Sequence, residues 1–141
     1  MIRGVLGVLG GGIVWWIGFW GCALLLALAW PAYATIGHQF VTTGAFEFTV
    51  PMAACNVVLW ALAAIAAGWI AVAIARRREP AWILGALIMG FLCLMHLYLE
   101  WNRLPWWYNL CVALPSGPAV LLGSRLAARF VRAGLPIASA T

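Results

Sequence analysis

The 141-residue chain is 67% hydrophobic and 8% charged, with eight basic residues, three acidic ones and a net charge of +5. So few ionic groups cannot clothe so apolar a core in water-compatible surface, which excludes a soluble globular domain. The positive balance does not point to nucleic acid either. All the cations are arginines, held mostly in three short stretches (Arg3; Arg76, Arg77 and Arg78; Arg125, Arg129 and Arg132) rather than in one groove-sized patch.

The apolar material comes in four runs, each long enough for a ~30 Å hydrocarbon core that needs about 20 helical residues. The first, residues 5–30, contains no charge. Arg3 and Ala32-Tyr33-Ala34 imitate the flanks of a secretory signal, but the run exceeds the ~7–15 residues of a signal core. It therefore reads as a transmembrane helix. Residues 31–50 follow as an outer loop carrying His38, Gln39 and Glu47, with an alternating stretch at 46–50 that suits an extended or interfacial segment.

The second span covers about 51–75 and stops at Arg76-Arg77-Arg78-Glu79. Pro80 can open the third, about 80–100, because a first-turn proline loses no helical hydrogen bond. A short link then leads into the fourth, about 106–131, which carries Pro115-Ser116-Gly117-Pro118 within it. Proline removes a backbone donor and crowds the preceding turn, so a kink or break is expected there. Arginine at the start of the chain, after the second span and at the end of the fourth agrees with both termini in the cytoplasm. The expected fold is all-α: a single four-helix transmembrane domain, N-in and C-in.

Between membrane helices, packing depends on close approach of small residues rather than on a hydrophobic driving force. Gly4, Gly7, Gly11, Val14, Gly18 and Gly21 form a stripe on the first span, and Ala54, Val57, Ala61, Ala64, Gly68, Ala71 and Ala75 form one on the second. These are expected to meet as an antiparallel hairpin. The other side of the first span carries Trp15, Trp16, Phe19 and Trp20, which either fill gaps between helices, face lipid, or meet a flat partner such as a quinone, a pigment or another subunit's helix. On the fourth span Arg125, Arg129 and Arg132 share a face and are expected to snorkel to lipid headgroups.

The residues most open to a chemical reading gather toward the outer side. Cys93, His96 and Glu100 share one face of the third span at spacings of three and four. Cys55 and Asn56 enter early in the second span, and Asn109 and Cys111 early in the fourth. Thiolates and imidazole could hold copper or zinc if two to four converged, but no paired-ligand motif occurs. A b-type haem would need axial ligands, for which His96 and His38 are the only histidines, and a His96–Glu100 acid/base pair lacks a recognisable nucleophile. The expectation is no cofactor, with haem, quinone or metal as alternatives. Tyr98, Trp101, Trp106, Trp107 and Tyr108 suit an interfacial aromatic belt.

Trp30-Pro31-x-Tyr33, the run from Phe48 to Met52, and His96 through Pro105-x-Trp107-Tyr108 resemble a group of small, uncharacterised four-helix inner-membrane proteins of proteobacteria. That resemblance implies a bacterial inner-membrane location and the same topology, and brings no activity with it. The expected function is non-enzymatic: an accessory or scaffolding subunit beside a larger membrane complex, with the bilayer and other membrane subunits, or a second copy, as partners. The alternative is a small-ligand binding or transport protein built on the outer polar cluster.

Overall fold

A computed structural model describes residues 1–132 of the chain. Five α-helices account for the architecture: α1 Ile2–Ala29, α2 Pro31–Thr43, α3 Val50–Ala75, α4 Glu79–Cys93 and α5 Trp106–Arg132. A π-helical turn, Leu94–Leu99, continues α4. Four helical segments are long and apolar enough to cross a bilayer, namely Ile2–Ala29, Val50–Ala75, Glu79–Leu99 and Trp106–Phe130. This is the architecture of a multi-pass membrane protein.

One expectation fails at once. The segment read as an outer loop contains helix α2, started by Pro31 in its first turn and ended by Gly44 in the left-handed conformation, φ 74°. Both signals stand in the sequence at the positions where proline opens and glycine closes a helix. Polar residues and Thr42-Thr43 obscured them. The threonine hydroxyls here donate to backbone carbonyls one turn back (Thr42 to His38, Thr43 to Gln39) and so remain compatible with helix. The stretch at 46–50 forms no strand; it connects α2 to α3, which starts at Val50.

The four long helices alternate in direction. A Cβ placed at Gly7 would fall 2.6 Å from the Ala71 carbonyl oxygen, at Gly11 2.8 Å from that of Ala67, and at Gly18 2.7 Å from the Ala63 methyl. Numbers rise along α1 as they fall along α3, so this pair is antiparallel and in backbone contact. The seam on α3 is Ala63, Ala67, Ala71 and Ala75. The expected stripe through Ala61, Ala64 and Gly68 is therefore corrected: Gly68 turns to α5, against the Val120 backbone, while Gly123 of α5 lies against the Ile65 backbone. Helix α3 carries small residues on two faces because it lies between α1 and α5. Ala64, on neither glycine contact, is fully buried in the core.

Helix α4 completes the bundle on α5. Gly85 and Gly117 approach reciprocally, each Cβ position lying 3.4 Å from the other's carbonyl oxygen. Helical backbone continues through Pro115 and Pro118, and the Ser116 hydroxyl donates to the Ala113 carbonyl at 2.7 Å. At the arginine end, Gly4 meets Pro80, and Trp69 meets Phe130 with ring centroids 4.9 Å apart. Arg3, Arg76, Arg77, Arg78, Arg125 and Arg129 are exposed there, as snorkelling requires. The Arg132 side chain lies outside the described residues.

Candidate functional site

At the other end, the bundle closes around a buried cluster of polar and aromatic side chains. Asn56 reaches it from α3, and Trp60 follows one turn later on the same face. His96 comes from the π-helical turn, and Tyr108 and Asn109 from the first turn of α5. The Asn56 side-chain amide donates to the Tyr108 hydroxyl at 2.8 Å. His96 Nδ1 lies 3.1 Å from Asn109 Oδ1, and Asn109 Nδ2 donates to the Leu104 carbonyl at 3.3 Å. With both ends of its amide engaged, Asn109 is 0% exposed. The rings of Trp60, His96 and Tyr108 make a nearly equilateral triangle, with centroids 6.1 to 6.4 Å apart across three helical elements.

The π-helical turn explains how His96 and Glu100 both face this cluster. The inward positions at this end are Leu92, His96 and Glu100, spaced by four. A 3.6-residue turn would carry that series steadily off the face. The wider turn, closed by Glu100 N–H donating to the Met95 carbonyl at 2.9 Å, holds it in line. Cys93, expected on this face, is only half-buried beside the core.

Helix α2 and the link behind it roof the cluster. Tyr33, Phe48, Phe46 and Tyr108 form a continuous chain of rings with successive centroids 5.2, 5.2 and 5.3 Å apart. Tyr33 is buried under this roof. Its burial pushes the hydroxyl pKa above the ordinary tyrosine value, with the Cys22 thiol adding a smaller push in the same direction. The Arg103 guanidinium lies against Gly44, 3.3 Å from where a Cβ would stand, and pairs loosely with Glu100 at 3.8 Å. So exposed an ion pair contributes little stability.

The candidates proposed from sequence thus divide. His96, Asn56 and Asn109 converge, and Glu100 sends one buried carboxylate oxygen toward the same end. Cys55 and Cys111 are exposed, each within two residues of an inward asparagine, although Cys111 also borders the small void beside Trp60. Among the described residues, no group of three or more His, Cys, Asp or Glu side chains could hold a metal ion. Trp15 and Phe19 pack inside, Trp15 edge-on to Phe91 at 6.0 Å and Phe19 stacked on Trp60 at 4.5 Å, whereas Trp16 and Trp20 face outward.

Tyr108, expected in the interfacial belt, and Trp60 are the members that sequence reasoning missed. The position of Trp60 one helical turn after Asn56 was the available signal. Tyr98, Trp101 and Trp106 are exposed, as a belt requires.

Three buried side-chain atoms at this end have no hydrogen-bond partner: Asn56 Oδ1, Trp60 Nε1 and Glu100 Oε2. The adjoining void, lined by Trp60, Val57, Cys111 and Ser116 among others, is only about 20 Å³. That is room for about one water molecule. The cluster binds three helical elements and the roof into one unit. No family model matches the chain, and neither a curated protein sequence nor a solved structure is significantly similar to it.

Proposed function

We propose that this is a non-enzymatic inner-membrane protein of bacteria, an accessory or scaffolding subunit that presents α1 to the transmembrane helices of a larger complex. The arginine end faces the cytoplasm in this reading, in keeping with the positive-inside rule. One observation carries the proposal: of the 28 residues of α1, only Gly7, Gly11 and Trp15 are buried. Leu6, Ile13, Ile17, Trp20 and Leu24 form a second, outward seam, every one of them at least half exposed. Their alternating spacing is that of a helix-packing seam. The buried polar cluster supports a scaffold, since its hydrogen bonds tie α3, the π-helical turn and α5 together.

The test is photo-crosslinking in native membranes from positions 17 and 20. The reading expects a discrete protein adduct from these sites and none from position 62, an exposed position on α3. Lipid adducts alone from all three sites would overturn it.

A second reading, a small-ligand binding protein, is favoured by the three unpartnered polar atoms, which a small polar guest would satisfy. Trp60→Phe deletes the indole N–H together with the five-membered ring that carries it. If a small non-lipid molecule co-purifies with the wild type, this variant should release it; if no such molecule is retained by the wild type, the second reading fails.

A further inference from the structure

Between α1 and α4 lies an open, almost wholly apolar groove of about 470 Å³, lined by Val8, Gly12, Trp16, Leu84, Leu87 and Phe91 among others. Its floor is open because Gly12 has no side chain: a Cβ there would meet only one Leu84 methyl, at 3.9 Å. Along α1 it runs from Val8 to Ile17, roughly 13 Å at 1.5 Å per residue. The Trp15–Phe91 edge contact stands at its inner limit, deep in the membrane. Such a shape takes a flexible chain better than a rigid ring system.

The mouth of the groove is basic. The Gly4–Pro80 contact brings the first turn of α1 beside the first turn of α4. Arg3 is therefore placed close to the Arg76-Arg77-Arg78 link that precedes α4. All four arginines are exposed, and Glu79 is the only acid at this end of the described residues. The lining begins at Val8 and Leu84, five residues beyond Arg3 and six beyond Arg78, roughly 8 Å along the helices. That offset matches the layout of a phospholipid, whose phosphate lies at headgroup level and whose acyl chain starts below it.

We infer that the α1–α4 groove seats an acyl chain of an anionic phospholipid whose headgroup is held by Arg3, Arg76, Arg77 and Arg78. Apolar contact along the groove retains the chain, and the arginines select the negative headgroup. The groove shares Ile13 and Ile17 with the edge of the outward seam, while Leu6, Trp20 and Leu24 lie outside it; the lipid site is tested by lipid retention, which the scaffolding proposal does not predict.

The experiment is native mass spectrometry of the purified full chain titrated with phosphatidylglycerol or phosphatidylcholine carrying identical acyl chains. The wild type is expected to retain phosphatidylglycerol at concentrations at least about tenfold lower, since each surface arginine contributes about 1 kcal/mol to anionic lipid binding. The R76Q/R77Q/R78Q variant should lose most of that preference, keeping only what Arg3 supplies. Gly12→Leu, which fills the floor, should lose retention of both, and Leu87→Trp serves the same purpose if the first variant does not fold. Equal retention of the two lipids by the wild type would overturn the inference. So would undiminished phosphatidylglycerol binding in a folded groove-filled variant, or an undiminished preference in the arginine variant.

Discussion

Asn109 holds the outer end together through both halves of one amide, to His96 on one side and the Leu104 carbonyl on the other. Removing it strands two buried polar groups at once, and each orphan costs about 1–3 kcal/mol. Asn109→Ala should therefore destabilise the protein by about 2–4 kcal/mol, read as a lowered thermal midpoint in detergent. Cys111→Ala, only two residues away but exposed and without a hydrogen bond among the described residues, should change stability by no more than about 0.5 kcal/mol. A like loss in both would show that the cluster is not as closed as its geometry implies. Sequence placed Asn56, His96 and Asn109 at one depth, but could not separate them from Cys55 and Cys111, because direction around a helix depends on which neighbours it packs against.

Tyr33 gives the roof a pH dependence. Its folded pKa is raised, so the neutral hydroxyl is the form that folding favours. That contribution is fully present below the ordinary tyrosine pKa of about 10 and is lost as pH rises through the raised value. Tyr33→Phe should thus lose less stability than the wild type between neutral and strongly alkaline pH. Equal alkaline losses would show that Tyr33 ionises as freely folded as unfolded.

At the level of elements, the glycines state which helix faces meet. Gly68 and Gly123 let α3 and α5 touch through their backbones, so an added methyl must force the helices apart. Gly68→Ala should cost about 3 kcal/mol, at the upper end for overpacking in a tight interface. Gly90→Ala meets nothing within 4 Å and should be neutral, or stabilising by up to about 1 kcal/mol through helix propensity. Parallel thermal melts decide the matter, and comparable midpoints for the two variants would contradict the packing described. The α1–α3 pairing was legible because small residues recur along both helices. The assignment of Gly68 was not, since α3 is small-residue-rich on two faces and spacing alone does not say which partner lies where. The π-helical turn left no sequence signature: it follows from keeping Leu92, His96 and Glu100 on one face, a tertiary demand that overrides the local period.

Across the whole molecule, length and hydropathy were enough to give four spans with ends near those observed. Helix α2 was missed because its capping residues are common in loops and its body is polar at His38 and Gln39. The finished bundle is asymmetric. Helix α3 lies between α1 and α5, and α5 buries half of its apolar window, while α1 is the least buried of the four spans. One end is sealed by a polar cluster and an aromatic roof; the other displays arginines. The scaffolding proposal rests on that asymmetry. The direct measurement is the mass of particles extracted from native membranes with a detergent-free polymer. The scaffolding account predicts particles holding this 15.2 kDa chain together with a fixed ratio of a second protein, or of further copies of itself. Particles containing one copy of the chain and lipid alone would contradict it.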